Sequence, residues 1–230
     1  MPSELSIAFL SLKVALLATF IASVPALITA WLLARRNFRG KIIIDALVSL
    51  PLAVPPVVSG YALLMVFGGS GLLGRAFSTL FATEVVFTWV AAALAAALVS
   101  FPLIARTFML ALAGVDRRLE MAAGGLGATR IRVLVTITLP LASRGLLAGL
   151  LIGFVRSLSE FGATIVGAGN IPGRTQTLPL AIFTRISSGD DAAAIRLAVT
   201  TLLLGLIALI AHNYLLARGT KISADVDRSD

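Results

Sequence analysis

The chain has 230 residues, no cysteine and a single histidine, and its 19 basic and 11 acidic residues give a net charge of +8. Hydrophobic residues make up 58% of it and charged residues only 13%, a balance far more apolar than a soluble domain shows and one that places the chain in a bilayer. The missing cysteines and the solitary His212 exclude Cys/His zinc sites, iron–sulfur clusters and bis-histidine haem on this chain alone.

In a soluble protein so basic a balance would suggest nucleic acid. In a polytopic membrane protein it reflects charge asymmetry between the two faces, and no nucleic-acid partner is expected.

A span needs about 20 mostly apolar residues, and five runs qualify, roughly 7–34, 42–67, 85–112, 138–168 and 193–217. The first could be mistaken for a signal peptide ending at Ala22-Ser-Val-Pro-Ala26, but it is too long and is preceded by Glu4 rather than a basic cluster, so it reads as an uncleaved span. It ends in the basic turn Arg35-Arg-Asn-Phe-Arg-Gly-Lys41. The second run contains Pro51, Pro55 and Pro56, which remove backbone donors and predict a kinked or locally unwound helix near mid-membrane. Such a break survives in lipid only when buried by protein or facing a water-filled path. These prolines and the nearby Ser59 are therefore candidates for a hinge or pathway wall, with a merely bent packing helix as the alternative.

Gly68-Gly-Ser-Gly-Leu-Leu-Gly74 follows as an outer turn. It has the glycine gap of a phosphate loop, but Arg75 and Ala76 stand where Lys and Ser/Thr are required, so no nucleotide site is expected. The third run, with Ala92-Ala-Leu-Ala-Ala-Ala97, Ser100 and Pro102, is dense in small residues that let helices approach closely in lipid, which predicts a central place in the bundle.

Between the third and fourth runs lies the polar, glycine-hinged block 115–140. Leu119, Met121, Ala122, Ala123 and Leu126 can form an apolar stripe on a short helix, with Arg117, Arg118 and Glu120 towards solvent. Gly124, Gly125 and Gly127 end that helix, and a second helical stretch from Ala128 leads to Pro140 at the membrane surface. Helices this short are marginal alone and are stabilised by docking, either into a partner's groove or onto anionic lipid.

In the fourth run, Arg156 and Glu160 stand four residues apart on one helix face and can pair, with Ser159 beside them. Charges at bilayer depth face a cavity or a partner, so the pair is either a wall of a substrate path or a structural ion pair. With five spans and an external N-terminus, thirteen basic residues fall on the cytoplasmic side: Arg35, Arg36, Arg39, Lys41, Arg106, Arg117, Arg118, Arg130, Arg132, Arg144, Arg218, Lys221 and Arg228. The positive-inside rule thus selects N-terminus outside and C-terminus inside.

Block 115–140 resembles the cytoplasmic coupling loop of ABC importer permeases: Glu-Ala-Ala, three residues, Gly, nine residues, Ile, any residue, Leu-Pro. Ala122, Ala123, Gly127, Ile137, Leu139 and Pro140 match that spacing, while Met121 replaces the motif's Glu and the nearest carboxylate, Glu120, comes one residue early. Ser157-Leu-Ser-Glu-Phe-Gly-Ala-Thr-Ile-Val166, Asn170-Ile-Pro-Gly173 and Thr175-Gln-Thr-Leu-Pro-Leu-Ala-Ile182 resemble molybdate importer permeases. Sulfate permeases share the Glu-Phe-Gly core.

The resemblance implies an all-α integral membrane permease domain over residues 1–218, followed by a cytoplasmic polar tail over 219–230. It implies no enzyme activity and no cofactor on this chain, with ATP and Mg2+ held by a partner ATPase. The implied partners are a second permease in a homodimer, two ATP-binding cassette ATPase subunits seated at the coupling loop, an external molybdate-binding protein and membrane lipid. The implied location is the cytoplasmic, or inner, membrane and the implied cargo is molybdate, with tungstate or sulfate as alternatives. A proton-coupled secondary transporter using Asp45 and Glu160 is a different reading, and a non-transporting membrane anchor a third.

Overall fold

The computed structural model describes residues 3–69, 71, 74–75, 79 and 85–226, with side chains as far as Leu216. Its helices are α1 (Glu4–Arg35), α2 (Lys41–Ala53), α3 (Pro56–Phe67), α4 (Trp89–Ala113), α5 (Arg117–Gly125), α6 (Arg130–Leu158), α7 (Gly162–Gly167), α8 (Leu178–Ser187) and α9 (Asp191–Val226). No strand occurs among the described residues. Part of the expected 68–74 turn and the side chains of Arg218, Lys221 and Arg228 lie outside them.

The centre of the bundle is built from small side chains. Along α1, Ala18, Ala22, Ala26 and Ala30 recur every fourth residue and are all but fully buried. They face α4, where Ala91–Ala93, Ala95–Ala97 and Ala105 are equally enclosed. Lipid supplies no hydrophobic drive between apolar helices, so van der Waals contact at short range holds them, and alanine permits that range. This is the central position expected of the third run.

The third partner is α6, whose Gly145, Gly149 and Gly153 form a second four-residue stripe. A Cβ on Gly145 would lie 2.5 Å from the Ala111 side chain, and one on Gly149 would lie 2.7 Å from the Phe108 ring. Gly153 abuts Ile104 in the same way. As numbers rise on α6 they fall on α4, so the two helices run antiparallel.

The long helices also fix the path of the chain. Lys13 near the start of α1 sits 3.6 Å over the ring of Trp89, the first residue of α4. At the far end, Arg35 Nη2 donates to the Val115 carbonyl just beyond α4. The two helices are therefore parallel, and the chain between them must return across the membrane, which makes α2 and α3 one broken span.

The break is at Val54-Pro55, where the two halves meet at 106°. Pro55 has no N–H and forces Val54 into extended backbone, while Pro56 opens the new helix at its first position. α3 is pressed against α7: a Cβ on Gly60 would lie 2.5 Å from the Ala163 carbonyl oxygen, and one on Gly162 3.0 Å from Pro56. α2 stands apart, with only Val48 buried and with Arg106 of α4 bonding Asp45 at 2.8 Å and Ser49 at 2.7 Å.

α9 begins at the outer end of α1, where Arg196 pairs with Glu4 at 2.9 Å, and continues to Val226. With α1, α2–α3, α4, α6 and α9 the described residues supply five spans, and α1 starts and α9 ends on opposite faces.

Two expectations need correction. The fourth span is Arg130–Leu158, eight to ten residues earlier than predicted, because α6 runs straight through Pro140 and stops before Glu160. Pro140 lacks the N–H for an i−4 bond and its ring crowds the carbonyl four residues back. The preceding turn, Leu134–Thr138, opens into a π-helix in which Leu139 N–H bonds the Leu134 carbonyl, and this lets the helix continue. Pro140 thus lies inside a helix rather than at its end.

Candidate docking helix and intramembrane ion pair

α5 begins where the Asp116 side chain caps it, Oδ1 accepting the Arg118 N–H at 2.8 Å. It ends in a Schellman turn: Ala128 N–H reaches the Ala123 carbonyl, Gly127 N–H reaches the Gly124 carbonyl, and Gly127 takes φ +85°. The end falls where the glycines place it.

The faces differ from expectation in two residues, Glu120 and Ala123, the second of which leaves the apolar stripe and is half-buried. Leu119, Met121, Ala122, Leu126 and, on the next helix, Ile131 are exposed, with Met121 at 66% and Leu126 at 90%. Arg117 and Arg118 flank them at the surface. Glu120 does not face solvent, which corrects the polar face drawn for it: one turn from the half-buried Ala123, it looks back into the protein. Its Oε1 pairs with Arg35 Nη2 at 2.9 Å and accepts the Thr138 hydroxyl at 2.6 Å. Ile137 and Leu139 are half-buried in α6 and Pro140 is exposed. The surface so formed is an apolar strip bordered by guanidinium groups, suited to a complementary groove.

Arg156 and Glu160 meet as their spacing predicts, Nη2 to Oε2 at 2.9 Å, with Glu160 buried and Arg156 about a quarter exposed. The second carboxylate oxygen of Glu160 accepts the Ala163 N–H at 2.7 Å and so caps α7. Glu160 therefore neutralises one cation, satisfies a helix start and has no oxygen left over. Ser159 lies exposed at the break between α6 and α7, beside an apolar groove of about 400 Å³ lined by Phe161, Ile182, Phe183 and Ile186.

Among the other pathway candidates, Ser59 is buried in α3 beside Gly60, and Ser100 is wholly enclosed with its hydroxyl bonded to the Ala97 carbonyl of its own helix. Pro51 and Pro56 are half-buried and Pro55 is exposed.

The 169–177 segment is stitched from within. Thr175 Oγ1 donates to the Gly169 carbonyl and accepts the Ile171 N–H. Gln176 Nε2 donates to Asn170 Oδ1 and to Thr184 Oγ1. Thr175 and Gln176 thus act as scaffold for a turn with Pro172, Gly173 and Arg174 at its exposed tip.

Sequence reasoning passed over Arg35, Thr138 and the glycine stripe of α6. The stripe was visible as small residues every fourth position. Arg35 and Thr138 carry no local signal, since their common partner lies 85 and 18 residues away.

A five-span bundle with a capped amphipathic helix projecting from one end is the architecture of a transporter's membrane subunit. The family model for the inner membrane component of binding-protein-dependent transport systems matches residues 15–221, and the chain belongs to that family. It is a multi-pass protein of the inner membrane and an all-α permease subunit of the ABC importer class.

The chain is 46% identical to the "Molybdenum transport system permease protein ModB" of Haemophilus influenzae over 95% of its own length and 96% of that protein's. The Escherichia coli K12 protein of the same name is also 46% identical, covering 90% of each chain. The sulfate transport system permease CysT of Salmonella typhimurium is 40% identical over 90% of this chain and 76% of that one. Two solved structures share the fold. The methionine ABC transporter MetNI in inward-facing conformations has a TM-score of 0.70 at 18% identity, covering 92% of this chain and 93% of that one. An alginate-importing bacterial ABC transporter has 0.67 at 14%, covering 96% and 81%.

Proposed function

We propose that this chain is the permease subunit of an ATP-driven importer that carries molybdate across the inner membrane. The observation that carries the reading is the near end-to-end 46% identity to relatives named as molybdenum permeases, higher and more complete than the likeness to the sulfate permeases. Molybdate and tungstate have nearly the same size and charge, so tungstate is transported by the same path. Sulfate is the second reading.

In this account two copies related by a twofold axis enclose the path, since five spans are too few to do so readily alone. Each copy seats the exposed strip Leu119, Met121, Ala122 and Leu126, with Arg118 beside it, in one ATP-binding cassette subunit. Ala123 and Gly127 set the pitch and the end of that helix, and Ile137, Leu139 and Pro140 lead its motion into α6. ATP and Mg2+ are bound by the ATPase pair, and this chain holds no cofactor. ATP binding draws the two coupling helices together and opens the path outward to a molybdate-loaded external binding protein. Hydrolysis returns the path to the inward-facing state.

The broken α2–α3 span and the Arg156–Glu160 pair lie along that path. With Glu160 neutralised by Arg156 and by the start of α7, an anion passing nearby meets little repulsion. Residues beyond 218 form the cytoplasmic end.

The test is reconstitution with the cognate ATPase and binding protein in liposomes, measuring ATP-dependent molybdate uptake against tungstate and sulfate as competitors. Uptake blocked by tungstate and not by sulfate supports the assignment. Strong sulfate competition transfers it to the sulfate permeases, and uptake without ATP would show a secondary transporter instead.

A further inference from the structure

We propose that Glu120 is a positioning residue that ties the docking helix α5 to the membrane helices, acting through Arg35 on α1 and Thr138 in the π turn of α6. The proposal rests on the reading of α5 as the ATPase-docking element and adds how its motion reaches the spans.

Apolar packing does not hold α5 to the rest of the chain. None of its residues is buried, and its larger apolar side chains point outward. What joins it to the bundle is polar and converges on Glu120. Oε1 of Glu120 is bonded by the Arg35 guanidinium at 2.9 Å and by the Thr138 hydroxyl at 2.6 Å. Two further contacts cross between α5's start and α1's end in opposite directions: Arg35 Nη2 donates to the Val115 carbonyl, and Arg117 Nη2 donates to the Ala34 carbonyl.

The Arg35 side chain is only 8% exposed and its Nε is buried without a partner, so Glu120 supplies, among the described residues, the one anionic partner of a nearly buried cation. Removing one member of a buried pair leaves the other uncompensated, which makes such a contact costly to break and gives it a single geometry. Thr138, 2% exposed, is held inside α6. A displacement of α5 is thereby delivered at one carboxylate to two helices that both pack on α4. Without that carboxylate α5 remains joined by its two backbone connections and by Arg117.

Met121, at the position where the family motif has its Glu, is exposed. Glu120, the carboxylate next to that position, therefore serves the permease's own bundle rather than the partner's surface.

The first experiment needs no partner. Hydrogen exchange on the purified permease in lipid nanodiscs compares Arg118–Gly125 amides in the wild type, Glu120→Gln and Thr138→Val. Exchange about tenfold faster in Glu120→Gln, and faster to a smaller degree in Thr138→Val, is expected, since loss of the tether raises the open population of a helix that has no other packing. Unchanged exchange in both variants overturns the tether. The second experiment measures molybdate uptake and phosphate release together in liposomes containing the ATPase and binding protein. The ratio of uptake to ATP hydrolysed is expected to fall about tenfold in Glu120→Gln, about threefold in Thr138→Val, and by an intermediate amount in Glu120→Asp. A ratio equal to the wild type's, even with both activities lowered in parallel, overturns the transmission role. Faster exchange in Glu120→Gln together with a wild-type permease that binds no ATPase would uphold the tether and remove the docking reading.

Discussion

α4 and α5 are separated by only three residues, yet they are held in place by opposite means. About half of α4 is enclosed, mostly by alanine against alanine and glycine, whereas α5 has no buried residue and is kept by a cap, a glycine turn and one carboxylate. A helix surrounded by lipid gains nothing from being apolar and must win its place by close fit. A helix outside the bilayer that is to meet a partner keeps its apolar face free and is anchored by directional bonds.

Substitutions that change shape in one region and charge or backbone geometry in the other test this contrast. The largest effect is expected from Gly149→Leu, whose side chain has nowhere to go between α6 and α4. Overpacking of about 3 kcal/mol or more should abolish a monodisperse peak in detergent size-exclusion chromatography. A normal peak would show that the glycine stripe is not a contact.

Gly127→Pro comes next, and it spares the bundle. Proline can neither adopt φ +85° nor donate to the Gly124 carbonyl, so membrane insertion should persist while ATP-driven uptake is lost. Gly127→Asn, which tolerates the left-handed region and meets no neighbour within 4 Å, should retain most uptake.

Glu160→Gln is expected to lower thermal stability by about 1–2 kcal/mol, since Gln can still cap Ala163 but leaves Arg156 without its counter-charge. Uptake should fall by less than about tenfold, in keeping with a structural pair, given that each 1.4 kcal/mol corresponds to one decade. Complete loss of flux in a well-assembled protein would show that Glu160 takes a direct part in anion passage rather than only bordering the path.

The smallest effect, and of opposite sign, belongs to Gly125→Ala in α5. An added Cβ meets nothing within 4 Å there, so the docking helix should gain up to about 1 kcal/mol in local stability, read as slower amide exchange. A Gly-to-Ala change that harms α5 would mean that the helix is more crowded than its exposure indicates.

What could be read from the chain itself follows the same division. The residues themselves located the end of α5, the central place of α4 and the proline break in the second span, because each is set by neighbours within a few residues. The boundaries of the fourth span were not legible: Pro140 reads as a stop unless the preceding turn widens, and Glu160 reads as helical although its carboxylate caps the next helix. Nor was the inward turn of Glu120 legible. Arg117, Arg118 and Glu120 form a plausible solvent face, and only the approach of Arg35, 85 residues earlier, reverses it.

The π turn at Leu134–Thr138 has one more consequence. A turn closed by an i to i−5 bond stores one residue more than the α-helix of the same span, so it is a reserve of length inside an otherwise fixed rod. Drawing that residue in or letting it out rotates the cytoplasmic third of α6, and Thr138 with it, by about 100° relative to the glycine stripe. The π turn thus divides α6 into the end that Glu120 grips through Thr138 and the stretch whose glycines meet α4.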